Sequence, residues 1–391
     1  MPSADDPANV AQIPYRLRFP WLSLFQAIAI SFSVRQLIVA VGAIAAFALS
    51  QLVIDGVAGS GSAIRGEIQI GIPPGAYSEA RLGELVGEIA QPWSDVWRSV
   101  WNLFPAFDSR STIESPGLTI EIRRGAKANH WVDLGVLVWQ VILWSLFGLI
   151  LCRLAARRFA RGENGSFRKG VQFGLTRWVR GLVAPLIPSA AAGLILAAMV
   201  AAAAIIGFLP WVNGFLLVIA SPLLLTGGLM AGFLIVATLL GWPLMVAAIA
   251  YDDCDGFGGL SRSYSQWTGR PWYFVWLWTV AAGVGMIAMS LAVLFGEWAF
   301  YLCSLAIKQG VGQIAAAESG RRAILAIVRL LIHAFAISYF WTSATIVYGL
   351  LRQSVDWMPC DTVAPDDDER PRRDPLPVVG IPAMEPSATG T

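Results

Sequence analysis

GLVAPLIPSAAAGLILAAMVAAAAIIGFLPWVNGFLLVIASPLLLTGGLMAGFLIVATLLGWPLMVAAIAY, the run from Gly181 to Tyr251, contains no Asp, Glu, Lys or Arg. Arg180 stands before it and Asp252 after it. A helix of about 20 residues crosses a hydrocarbon core of about 30 Å. The run is too long for one crossing or for a core helix of a soluble domain. It fits two crossings and a non-crossing connection. Pro210 to Ser221 suits that connection as a short re-entrant or interfacial segment, with a turn at Asn213-Gly214. Its backbone must then be buried by neighbouring helices. The chain therefore reads as an all-α integral membrane protein.

Composition agrees. Hydrophobic residues make up 56% and charged residues 14%, against about 25% charged in soluble domains. A net charge of +2 is too small to suggest nucleic acid as a partner. His130 and His333 are the only histidines, which excludes multi-histidine metal sites. Cys152, Cys254, Cys303 and Cys360 form no C-x-x-C pair, and no intrachain disulfide framework is expected. The chain lacks G-x-S-x-G, H-E-x-x-H, a Walker loop and a G-x-G-x-x-G before a helix. The expectation is a protein that is not an enzyme and binds no cofactor or metal.

Apolar runs mark six crossings, at about 36–54, 131–152, 182–208, 220–250, 272–295 and 323–351. Loop 153–181 carries Arg153, Arg157, Arg158, Arg161, Arg168, Lys169, Arg177 and Arg180 against Glu163. Short basic loops stay cytoplasmic. Alternation then places both termini in the cytoplasm of a plasma (inner) membrane, in agreement with Arg16, Arg18, Arg35 and Arg352. Arg321 and Arg322, on the outer side, dissent. Ala46-Phe47-Ala48 resembles a signal-peptide cleavage site, but the charged lead before it is long for one, so a retained anchor is preferred. Trp131, Trp211, Trp272 and Trp298 sit at edges of apolar runs, as an interfacial belt requires.

The domains follow: a cytoplasmic N-terminal tail (1–17), an amphipathic helix with span 1 (18–54), an outer segment (55–130), a membrane domain with spans 2 to 6 (131–352) and a disordered cytoplasmic tail (353–391). In the outer segment, Ile68, Ile70 and Ile72 alternate, as do Leu118, Ile120 and Ile122. Paired as strands, they would form part of a small α+β insertion. After Pro92, Trp93, Trp97 and Trp101 stack on one helical face, widened by Val96, Val100 and Phe104. That stripe is the packed side of an outer cap or an interface for the outer leaflet or a partner. The tail, rich in Pro, Asp and Arg, has too little apolar surface to fold alone.

An amphipathic pattern recurs before spans 1, 3 and 5. Leu22, Phe25, Ala29 and Phe32 share one face in the first copy, Phe167, Val171, Leu175 and Trp178 in the second, and Phe257, Leu260, Tyr264 and Trp267 in the third. Such helices lie in the membrane plane. Asp255 suits the N-cap of the third, Asn164 or Ser166 that of the second, and Pro271 restarts the chain as span 5. The expectation is three repeats of an in-plane helix plus a helical hairpin (about 18–152, 160–250 and 254–352), closing into a pseudo-threefold bundle.

Asp255-Gly256-Phe257, Leu260-Ser261-Arg262-Ser263-Tyr264-Ser265, Gly269-Arg270-Pro271-Trp272, Gly241-Trp242-Pro243-Leu244-Met245 and Ser338-Tyr339-Phe340-Trp341 resemble an uncharacterised bacterial six-span membrane family. More remotely, the chain is similar to the membrane domain attached to some glycerophosphodiester phosphodiesterases, which also places an acidic, then aromatic and basic helix between spans. The phosphodiesterase domain is absent from the sequence. The resemblance implies architecture and no hydrolase activity.

Arg329 and His333 lie four residues apart inside span 6, and Glu297 sits at the outer end of span 5. An Arg329–Glu297 pair would be structural. A transport or proton-relay role is the alternative. Asp252, Asp253 and Asp255 serve as caps or as partners of Arg262 and the basic loop, or hold a hard cation. Arg153, Arg157, Arg158, Arg161, Arg168 and Lys169 are candidates for contact with anionic inner-leaflet lipid. Gly228 and Gly232 form a small-xxx-small pair, suited to tight packing or a homo-oligomer, and Gly241-Trp242-Pro243 suits a kink in span 4. The functional expectation is a scaffold, assembly or lipid-organising membrane component with possible protein partners. The alternative is a transporter or channel using the bundle interior.

Overall fold

The computed structural model describes residues 20–58, 114–115, 118–119, 130–162, 166–208, 213–311, 315–360 and 362–365. A 3-10 turn, Pro20–Phe25, leads into α1 (Gln26–Ser31) and α2 (Val34–Ala58). Then come β1 (Glu114–Ser115) and β2 (Leu118–Thr119), α3 (His130–Arg161), α4 (Phe167–Gly207), α5 (Asn213–Asp252), α6 (Gly256–Gly269), α7 (Pro271–Val311) and α8 (Ala315–Val355). Five helices are long and apolar enough to cross a membrane, or six if the bent pair formed by Pro20–Ser31 and Val34–Ser50 is one span. The protein is a multispan, helical membrane protein.

Leu118 lies in β2, which pairs antiparallel with β1. Ile68, Ile70, Ile72, Trp93, Trp97 and Trp101 lie outside the described residues.

Two elements run longer than hydropathy implies. The expected in-plane helix before span 3 continues straight into it as the single 41-residue α4. One packing face runs through the junction: Gly170, Gly174 and Gly181 meet Leu154, Ile150 and Leu149 of α3. A Cβ on Gly174 would come within 2.2 Å of Ile150 Cγ1, so only glycine lets the helices approach this closely. The expected re-entrant segment is helical from Asn213 onward, the first turns of α5. α5 runs unbroken through Pro222 and Pro243.

α3, α5 and α8 each pack on the other two. α2 lies against α3 and α8, α4 against α3 and α5, and α7 chiefly against α8. Fully buried Trp341 fills the centre. Its ring stands edge-on to Trp242 at 5.6 Å and lies 6.2 Å from Trp144. Gly148 makes room for it, because a Cβ there would fall 2.9 Å from the indole.

The 73° bend between α1 and α2 interrupts the helical hydrogen-bond ladder. In lipid a freed carbonyl needs a partner from within the protein. Ser338 of α8 donates to Ser31 O at 3.1 Å and lies 2.6 Å from Gln36 Oε1. Thr342 donates to the same Gln36 oxygen at 2.9 Å.

α6 begins where Asp255 accepts from Gly258 N at 2.9 Å, the cap the sequence suggests. Its buried residues are Gly256, Gly259, Ser263 and Gln266, not the aromatic stripe. Gly259 closes on Ile249 and Gly256 on the carbonyl of Arg180, so small residues seat the helix. Tyr264 and Trp267 pack at its flank, and Phe257 is exposed.

Candidate functional site

The densest polar cluster among the described residues lies at one end of the bundle, where α5 stops. Asp253 takes a positive φ of 50°, leaving the helix while its N–H still bonds Ile249 O at 2.9 Å. The turn aims its carboxylate at α4. Arg177 grips it with two bonds, Nε to Oδ1 at 2.5 Å and Nη2 to Oδ2 at 3.0 Å. Arg180 adds Nη1 to Oδ1 at 3.0 Å. Fork geometry of this kind fixes orientation as well as charge.

Asp252 ties together other helices. Its Oδ2 accepts from Arg262 of α6 and from Tyr348 of α8 at 2.5 Å. Arg352 lies 3.3 Å from its Oδ1. The acidic cluster therefore joins α4, α5, α6 and α8, with the basic loop and Arg262 as partners. At Arg262, burial disfavours the cation, but the hydrogen bond and charge of Asp252 outweigh it and raise the pKa. Between the aspartates and α6, burial pushes the Cys254 thiol up to about 11. It stays protonated at neutral pH and is a poor nucleophile.

The candidate lipid-contact residues divide by burial. Arg161 and Arg168 are exposed, Arg158 and Lys169 half-buried, Arg153 and Arg157 buried. Arg153 donates to Ala250 O at 2.9 Å and to Ala364 O at 2.8 Å, with its guanidinium 4.5 Å from the Phe173 ring centre. Arg177 approaches the same ring at 4.6 Å.

Arg153 reaches Ala364 because the chain after α8 folds back across this end. Arg352 donates to Thr362 O at 2.7 Å, Arg161 to Val363 O at 3.4 Å, and Ala364 N to Tyr251 O at 3.0 Å. The Tyr251 hydroxyl donates to Cys360 O. Val363 is buried in the core. α8 runs to Val355, and residues 357–360 and 362–365 form a strap held by its backbone carbonyls. Main-chain contacts leave no mark in side-chain composition, which is why the sequence reads as tail here.

Arg329, His333 and Glu297 sit far from this cluster. At about 1.5 Å per residue, His333 is about 28 Å and Arg329 about 35 Å along α8 from Arg352, near or past the far edge of a core about 30 Å thick. His333 Nδ1 lies 3.0 Å from Arg329 O on its own helix. Gly296 packs on Val328 and Ile332, which sets Glu297 and Arg329 at one level of the α7–α8 contact.

Sequence reasoning missed Gln36, Ser338 and Thr342 as a buried network, and Tyr251, Tyr348 and Arg352 as members of the charged cluster. A signal was present for the first group: polar residues that recur at positions 36, 338 and 342 inside apolar runs. Compared with known proteins, the chain matches no protein-family profile, no curated protein and no solved structure.

Proposed function

We propose that the protein is a non-enzymatic scaffold, assembly or lipid-organising component of a plasma (inner) membrane, with the basic end of the bundle in the cytoplasm. One observation carries this reading. Asp252 and Asp253 are saturated by arginines that lock the helices, while Arg158, Arg161, Arg168 and Lys169 stand at or near the surface beside them. Anionic headgroups are the natural complement of such a surface, at about 1 kcal/mol per base. The interior argues in the same direction, because Trp144, Trp242 and Trp341 occupy the place where α3, α5 and α8 meet.

The test uses the full chain in nanodiscs made from mixed neutral and anionic phospholipid. Co-retained anionic lipid should exceed its bulk share. Replacing Arg158, Arg161, Arg168 and Lys169 by Gln should reduce the excess by roughly tenfold or more. Equal retention by both forms would refute the lipid-organising reading. Orientation has its own check: in a cysteine-free background, Ser109→Cys should react with an impermeant maleimide from outside, and Asn164→Cys and Ser387→Cys should not.

A transporter centred on Arg329 and His333 has less support, since both lie about 28–35 Å along α8 from Arg352, near or past the far edge of a core about 30 Å thick. The three-unit repeat is also part of this proposal, as is the resemblance to the six-span family. Mutual packing of α3, α5 and α8, and separate short helices before α2 and α7, favour the repeat. The unbroken α4 departs from it.

A further inference from the structure

α4, α5, α7 and α8 are 40 or 41 residues long, about 60 Å each at about 1.5 Å per residue. That is about twice the hydrocarbon thickness. Measured from Asp252, α5 has crossed about 30 Å by Gly232, and its remaining turns towards Asn213 reach about 28 Å further. Those turns carry no charge. Phe215, Val218, Leu223 and Leu229 are 67%, 70%, 74% and 67% exposed. The equally long α7–α8 hairpin carries Glu297, Lys308, Glu318, Arg321 and Arg322 over the corresponding stretch, although Phe295, Trp298 and Leu302 of α7 are exposed there too.

Residues 59–129 leave and rejoin the fold at the same end. Ala58 ends α2 about 35 Å along its axis from Arg35, and His130 starts α3 about 35 Å from Arg153. α3 packs directly on α4, so this segment is tethered at the foot of the apolar hairpin. Its sequence offers a matching surface, the Trp93, Trp97 and Trp101 stripe. A covalent tether of this kind supplies an effective concentration in about the millimolar range, which favours it over a second copy.

We propose that the exposed far half of α5 is the docking face for residues 59–129 of the same chain, through the Trp93, Trp97 and Trp101 stripe. The test is oxidative cross-linking of the full chain in native membranes, with the native cysteines replaced by alanine. Cysteines at positions 93, 97 and 101 are each paired with Phe215→Cys or Leu223→Cys, and with Leu302→Cys on α7 as control. The expected result is an intramolecular link to α5 in at least one pairing and none to Leu302→Cys. Links between chains would make a second copy the occupant and overturn the proposal. No link, with Leu223→Cys open to water-soluble maleimide, would show a bare face and overturn it. No link, with labelling only by a membrane-partitioned maleimide, would assign the face to lipid and overturn it too.

Discussion

The two long hairpins, α4–α5 and α7–α8, have nearly the same length and opposite chemistry at their far ends. Near the basic end both are fixed by arginine–aspartate contacts, α4–α5 through Asp253 and α8 through Asp252. Far from it, α7–α8 turns charged while α4–α5 stays apolar to its tip. Helix length alone thus says little about where water begins. Both far ends expose apolar side chains, and only that of α7–α8 carries charges among them.

The root of α4–α5 is where disruption should cost most. Asp253→Ala leaves Arg177, mostly buried, and Arg180 facing an empty site. Breaking a buried pair in this way costs about 3–5 kcal/mol. Thermal unfolding in detergent should show a large loss. A change below about 1 kcal/mol would mean that the cluster does not hold α4 to α5.

The next effect separates root from tip by its sign. Gly174→Leu drives a side chain into Ile150 and should cost about 1–3 kcal/mol or more by overpacking. Gly232, on the far half of α5, has nothing within 4 Å of its Cβ position. Gly232→Ala should therefore stabilise by about 0.5–1 kcal/mol through helix propensity. Equal losses from both substitutions would show that the far half is packed as tightly as the root.

This contrast also shows what the sequence could reveal. Spans 2 to 6 fall within α3, α4, α5, α7 and α8, because a run such as Gly181–Tyr251 has no other solvent in which to be stable. The Asp255 cap and the Pro271 restart were legible because each is a local backbone rule. The continuity of α4 was not, since an amphipathic stretch before a span looks the same whether it bends or runs on. Arg153 and Arg177 read as loop charges, yet Phe173 and backbone carbonyls bury them. The strap at 357–360 and 362–365 depends on carbonyls, which every residue has.

A smaller effect tests the bend that sets α1 apart. Ser338→Ala removes the donor to Ser31 O. Intramembrane hydrogen bonds average about 0.6 kcal/mol, so a loss of about that size is expected, with the fold retained. Ser338→Thr keeps the hydroxyl and should recover part of it. If Ser338→Ala left stability untouched, water or lipid would have to satisfy the broken ladder.

The smallest effect is kinetic and concerns the turn between α5 and α6. Burial raises the Cys254 thiol to about 11, and only the thiolate reacts. At pH 8 about one molecule in a thousand carries it. Alkylation of Cys254, with the other cysteines replaced, should be slow and rise about tenfold per pH unit until the approach to pH 11. A rate that levels off near pH 8.5 would mean that the thiol is solvated as in a free peptide. The α5–α6 turn would then open readily, and the arginine–aspartate cluster beside it would not be the rigid root that distinguishes this end of the hairpin from its tip.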